Sequence, residues 1–341
     1  GMKYFILGAF ASAFLLFGAA LIYGATGTTS LPAIFERVAF ITSSDSTSIF
    51  YLLVGAALMI VGLGFKVAVV PFHMWTPDVY EGAPTPVTAF MSVAAKIGGF
   101  AALLRVLVVG LPLLQVNPEA SAIWQDSLWV ISALTLLVGN VAAIAQNNIK
   151  RMLAYSSIAN AGYILMAAAA AGTPGMALAS TQSALIYVLA YMLTTLGAFA
   201  VVIAVEKADG TGVNLEDFIG LSKRRPLLAV AMAIFMLSLT GIPLTAGFIG
   251  KWFVFQVTLQ AGLIPLAIIG VVTSVASAFY YVRVIVNMYL LDGDGREIDG
   301  DTQYTNWITY ATLAGTLLLG IFPVLITNLT DTVALATAAL P

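Results

Sequence analysis

YFILGAFASAFLLFGAALIYG, residues 4–24, runs 21 residues without a charged side chain. At about 1.5 Å per residue a helix of this length reaches roughly 30 Å, the thickness of a bilayer's hydrocarbon layer. The segment is apolar all round, so it lacks the polar stripe of a surface helix and the period-two alternation of a barrel strand. It reads as a membrane-spanning helix, which satisfies its own backbone hydrogen bonds. A signal peptide does not fit: the run is long, has no basic leader beyond Lys3 and leads into more apolar runs.

Eight further runs follow, near 49–72, 84–108, 124–145, 152–171, 180–205, 227–256, 262–290 and 305–327. The fold class is therefore all-α integral membrane protein, a single polytopic domain over 1–341 with about nine transmembrane helices. Composition agrees: 60% of the 341 residues are hydrophobic and 9% charged, against roughly 45–50% and about 25% in soluble domains. The lipid bilayer is thus the main solvent. With no Cys and one His, disulfides, thiolate metal sites, iron–sulfur clusters and multi-histidine haem or metal sites are excluded. A net charge of −2 gives no attraction for nucleic acid. No phosphate loop, nucleotide fingerprint or catalytic triad occurs.

Orientation follows from loop cations. The side bearing the N-terminus holds Lys3, Lys150, Arg151, Lys207, Lys223, Arg224, Arg225 and Arg296, while the opposite loops hold Arg37, with Arg105 at a span end. That bias predicts a cytoplasmic N-terminus and, after nine crossings, an outer C-terminus. LDGDGREIDGD at 291–301 reads as a solvated cytoplasmic loop. Tyr187, Tyr191, Phe199 and Phe253 read as packing or interface anchors.

Three charges fall well inside apolar spans: Lys66 in IVGLGFKVAVV, Lys96 in SVAAKIGGFAALL and Lys251 in GFIGKWFVF. A lysine at a helix centre costs about 2.5–3.5 kcal/mol on insertion scales, so it normally faces the bundle interior and has a role. Desolvated lysine can release and regain a proton, which arginine cannot. The alternative, snorkelling to the headgroups, suits Arg105 and Arg283 near span ends. Lys66 and Lys251 each lie in a glycine-interrupted segment, GLGFK and AGFIGK, with Pro71 or Pro243 close by. That pattern predicts two helices broken at mid-membrane, whose freed backbone lines a cavity. Their spans are five apart, so they run in opposite directions, as inverted repeats do; close packing of two glycine-rich helices is the alternative. No Asp or Glu lies deep in any span, which leaves three buried cations without a buried anion. The missing carboxylate is expected from a partner chain or from a preceding segment.

Between the second and third spans, VVPFHMWTPDVYEGAPTPVTAF at 69–90 places His73, Asp78 and Glu81 among four prolines. One His and two carboxylates make a poor metal site; an interfacial loop fits better.

That loop, preceded by GLGFK and followed by Lys96, resembles the signature of the antiporter-like membrane subunits of respiratory complex I, NADH:quinone oxidoreductase, and WTPDVYEGAP leans towards the subunit N branch. Further matches follow in order: NNIKRMLAYSSIANAGY at 147–163, LTGIPLTAGFIGKWFVF at 239–255 and YYVRVIVNMYL at 280–290. The resemblance implies a proton-translocating subunit of a translocase. It would have no redox site of its own and would be built from two inverted half-channels joined by a polar axis of lysines. Lys66 matches the lysine of the first broken helix, Lys96 the central lysine and Lys251 that of the second broken helix; Lys3 matches a further motif lysine, with a weaker claim. His73, Asp78 and Glu81 are secondary candidates.

On this reading residues 1–108 are the remainder of the first half-channel repeat, 109–290 the second, and 291–341 a loop and last helix. NADH, flavin, iron–sulfur clusters and quinone belong to partner subunits, and this chain binds no cofactor or metal. Its partners are other membrane subunits of complex I, neighbouring antiporter-like ones above all, in the inner membrane. The resemblance also implies helices before GMKYF, one with the glutamate that pairs with Lys66, so the sequence reads as N-terminally truncated. Asn160 stands where relatives commonly place His, and an amide does not titrate. The alternatives are a stand-alone or Mrp-type cation/proton antiporter subunit and a non-conducting structural remnant.

Overall fold

The computed structural model describes residues 1–40, 46–110, 118–206, 210–293, 303–328 and 330. Its helices are α1 (Met2–Thr26), α2 (Leu31–Phe40), α3 (Ser46–Val67), α4 (Thr76–Gly82) and α5 (Thr85–Leu104), the last continuing into a π-helical turn at Arg105–Gly110. Next come α6 (Pro118–Ile144), α7 (Ile149–Ala170), α8 (Ala177–Val205), a 3-10 turn at Leu215–Phe218 and α9 (Leu221–Arg224). The chain continues with α10 (Pro226–Thr240), α11 (Ala246–Gln260), α12 (Ile264–Leu290) and α13 (Gln303–Ile321).

Seven of these, namely α1, α3, α5 with its π turn, α6, α7, α8 and α12, are long and apolar enough to cross a membrane. Two expected spans take other forms. The run 227–256 is a pair of 15-residue helices, α10 and α11, and 305–327 corresponds to the 19-residue α13. The run 49–72 stops being helical at Val67.

Both expected breaks are present, but the glycines of GLGFK and AGFIGK lie inside α3 and α11 rather than at the breaks. The interruptions fall at Pro71 and Pro243, where the ring removes the N–H a helix needs. At the first break the Trp75 indole donates to the Phe65 carbonyl (2.9 Å) and the Val70 N–H donates to Thr135 Oγ1 (3.0 Å). At the second, Gly241 turns the chain at φ 94°, and the Gly247 N–H donates to Ser238 Oγ (3.0 Å). A β-carbon at Gly247 would collide with the Ser238 carbonyl, so glycine lets the two half-helices meet.

Burial grades across the bundle. The spanning window of α7 is 94% buried and that of α1 17%, so α7 is the axial helix and α1 a peripheral one. Small residues allow the close approach at the axis: Gly139 of α6 lies on Ala159 and Gly162 of α7 on Leu136.

Candidate functional site

The three span lysines occupy three different settings. Lys96, on α5, is buried; its ammonium donates to the Ser157 carbonyl of α7 and lies 5.6 Å from the centre of the Tyr191 ring. Lys251, in the second turn of α11, is also buried; Nζ donates to the Thr240 carbonyl and to Ser274 Oγ, each at 2.8 Å, and lies 4.8 Å from the Tyr163 ring centre. The Thr240 carbonyl ends α10, so the broken helix supplies the negative end of a helix dipole to its own lysine.

One face of α7 joins these two sites. Ser156, Ser157, Asn160 and Tyr163 recur at helical spacing, and hydroxyls from α8 and α12 meet them. Tyr191 donates to Ser157 Oγ (2.8 Å), Tyr187 donates to Asn160 Oδ1 (2.6 Å), and the Asn160 amide donates to the Ser156 carbonyl (2.8 Å). Tyr281 pairs with the Ser156 hydroxyl, and the Tyr163 and Tyr187 rings stand 5.9 Å apart. Tyr187 and Tyr191, read from sequence as packing anchors, are thus members of the polar network between the lysines. Their four-residue spacing on α8, matched to the hydroxyls of SSIAN on α7, was the available signal.

Lys66 departs from expectation. It sits in the last turn of α3 with an exposed side chain. Its nearest polar partner is the Tyr4 hydroxyl at 3.5 Å, and its stem passes Gly99, three residues on from Lys96. The described residues leave it uncovered, as they do Phe10, Phe14 and Phe17 of α1 and Phe90 of α5.

The secondary candidates divide. Lys3 pairs with Asp78, and Arg151 bonds both Asp78 (2.9 Å) and Glu81 (2.7 Å), so α1, α4 and α7 are tied by one four-charge network. Hydrogen bonding from Lys3, aided by Arg151, holds the Asp78 carboxyl below the usual carboxylate range. His73 stands outside that network; burial pushes its imidazole below its ordinary value, the nearby Lys3 adds to this, and a hydrogen bond to the Pro71 backbone opposes it. Among the described residues no group of three His, Cys, Asp or Glu could hold a metal ion.

Lys150 corrects a sequence expectation. Counted as a loop cation, it lies buried in the first turn of α7, 3.7 Å from the Glu206 carboxylate, and donates to the Ala83 carbonyl (2.7 Å) just past α4. Of the acidic stretch, Asp292 pairs with Lys223 at 2.6 Å; residues 294–301 with Arg296, and also Lys207, lie outside the described residues.

Because its folded-state carboxyl is held low, the Asp78 contribution is present above the ordinary carboxylate range and is lost as pH falls through the folded value. The Asp78→Asn variant is therefore expected to lose about 1 kcal/mol or less of stability at neutral pH, the usual yield of exposed pairs. Thermal unfolding in detergent from pH 7 to 3 should show the difference from the parent shrinking once pH falls below the ordinary carboxylate range. A difference as large at pH 3 as at pH 7 would contradict the assignment.

Residues 1–277 match the family described as NADH:quinone oxidoreductase/Mrp antiporter, TM. A relative in Trichlorobacter lovleyi, named NADH-quinone oxidoreductase subunit N, is 50% identical over 328 residues, covering 96% of this chain and 64% of its own length. The chain thus spans about two thirds of that relative. Among solved structures, a chain of respiratory complex I from Thermus thermophilus with bound aureothin aligns at 38% identity with a TM-score of 0.77, covering 96% of this chain and 67% of that one. A chain of the archaeal membrane-bound sulfane sulfur reductase aligns at 27% identity and TM-score 0.83, covering 98% and 64%. The fold is the antiporter-like one that the sequence resemblance implied, and the chain is a multi-pass membrane protein of the NADH:quinone oxidoreductase/Mrp antiporter family.

Proposed function

We propose that this chain acts as a proton-translocating membrane subunit of an NADH:quinone oxidoreductase, with other antiporter-like membrane subunits as its neighbours in the inner membrane and redox cofactors held by partner chains. The observation that carries the reading is the pair of buried lysines at the two ends of one hydroxyl-lined face of α7. Among the described residues neither ammonium has a carboxylate partner. Each is held by carbonyls, a hydroxyl or a ring face, which stabilise the cation less than an anion would and leave it able to discharge.

Lys66 would load or release the proton, Lys96 would relay it, and Lys251 would serve the second half-channel. Lys66, exposed on an apolar face, would meet its carboxylate on a helix that packs against α1 and α3. The loop-charge bias supports a cytoplasmic position for Lys3 and Arg151.

The test is Lys96→Met in the assembled complex, reconstituted in proteoliposomes with NADH and a quinone. Proton uptake per electron is expected to fall several-fold while NADH oxidation by a soluble artificial acceptor is unchanged. The Mrp-type reading instead expects sodium-driven proton exchange in proteoliposomes that lack any redox partner. Full pumping by Lys96→Met would remove the central relay from the proposal.

A further inference from the structure

A cavity of about 290 Å³ opens between α3 and α6. Leu53, Ala57 and Ile60 form one wall, Ile123, Trp124 and Ile131 the other, and Pro71 and Phe72 of the first helix break close it. Its shape follows from the packing: α3 is held against α1 and α5 and α6 against α7 and α12. The break is fastened to α6 by the Val70 N–H on Thr135 Oγ1. The two helices are thus joined at the break and leave a wedge beyond it, next to the segment that follows Lys66.

The lining is apolar except at Ser127, whose hydroxyl donates to the Ile123 carbonyl (2.7 Å), and at Trp124. This side chain is 6% exposed, and its indole N–H has no acceptor among the described residues. A buried N–H without a partner is an unmet demand, since such groups are normally paired. Trp124 also stands at the start of the spanning part of α6, Ile123–Ile144, which is the headgroup and ester level where tryptophan characteristically sits. The occupant must therefore be apolar along most of its length and carry an uncharged hydrogen-bond acceptor at one end, at ester depth.

We propose that this wedge is a binding site for one acyl chain of a phospholipid from the leaflet in which α6 begins, with the lipid's ester carbonyl accepting the Trp124 N–H. The chain lies between Ile60 and Ile131 and ends against Phe72. The bilayer presents this ligand at high local concentration, so modest affinity suffices. Because Pro71 and Phe72 close the wedge, its occupancy bears directly on the break next to Lys66.

The test uses the assembled membrane complex in vesicles of phosphatidylethanolamine and phosphatidylglycerol doped with phosphatidylglycerol carrying a diazirine in its acyl chain. After irradiation, peptide mass spectrometry reads the labelled positions. Label is expected on 53–61 and 123–131 in excess of that on the exposed outer face of α12 around Val275. Trp124→Phe, which keeps the ring and removes the N–H, should lower wedge labelling about two- to tenfold, the ratio expected for one net hydrogen bond, and leave Val275 unchanged. Ala57→Trp, which fills the cavity, should abolish it. Wedge labelling equal to that at Val275 and unaffected by Trp124→Phe would overturn the site, and so would an unlabelled wedge covered by a protein helix in the assembly. If Ala57→Trp does not assemble, Trp124→Phe alone decides.

Discussion

Replacing Lys251 by methionine is expected to reduce the rate of proton transfer through the second half of this chain on the order of a hundredfold, the low end of what a positioned acid–base group contributes. The proton-to-electron ratio of the reconstituted complex should fall by the share that this chain carries. Methionine fills the space of the lysine stem and suits an apolar site, so assembly should survive. The ammonium leaves behind the Thr240 carbonyl and the Ser274 hydroxyl, and Ser274 keeps its own contact with that carbonyl (3.3 Å). Lys251→Arg is the discriminating companion. It retains charge but cannot discharge near neutral pH, so it should fail as methionine does. Pumping by the arginine variant would mean that a fixed positive charge, rather than a titrating one, is what the site requires.

The second large effect is on stability. Lys150 and Glu206 form an ion pair with side chains 4% and 13% exposed. Removing the anion strands a buried cation, a change that typically costs about 3–5 kcal/mol. Glu206→Ala is therefore expected to lower the unfolding midpoint strongly, with the Ala83 carbonyl as the remaining acceptor. Glu206→Gln should be milder, since its amide oxygen keeps a partial negative charge beside the ammonium. Adding Lys150→Met to Glu206→Ala should recover part of the loss by removing the stranded charge. A double variant no better than Glu206→Ala would show that Lys150 reaches water once its partner is gone.

The sequence made the helical class and the lysines legible because both depend on composition at fixed places: uninterrupted apolar runs, and charges inside them. The breaks were legible from Pro71 and Pro243 and from two of the glycines read with them: Gly64 packs on Val69 and Phe72 of the first break, and Gly247 meets Ser238 across the second. What escaped depends on which faces meet. Lys150 and Arg151 are neighbours in a cationic dipeptide, yet one is buried against Glu206 and the other turns to Asp78 and Glu81. The packing of α4 and of the C-terminal end of α8 against α7 separates them. Tyr187 and Tyr191 likewise look like any apolar-span tyrosines until α7 supplies their partners. Lys66 was expected to face inward, but burial is set by which helices surround a site, and that is not a property of its own segment.

The polar face of α7 also has a consequence for biosynthesis. Its hydropathy, 1.3, is the lowest of the seven spanning helices, whose others lie between 1.7 and 2.4. Ser156, Ser157 and Asn160, which organise the lysine network, are the residues that make it a poor solute for lipid. A helix of this kind partitions weakly when it leaves the insertion machinery alone. It stays in the bilayer once α6 before it and α8 after it have closed around it, so the helix that carries the site is also the one whose insertion depends on its neighbours in the chain.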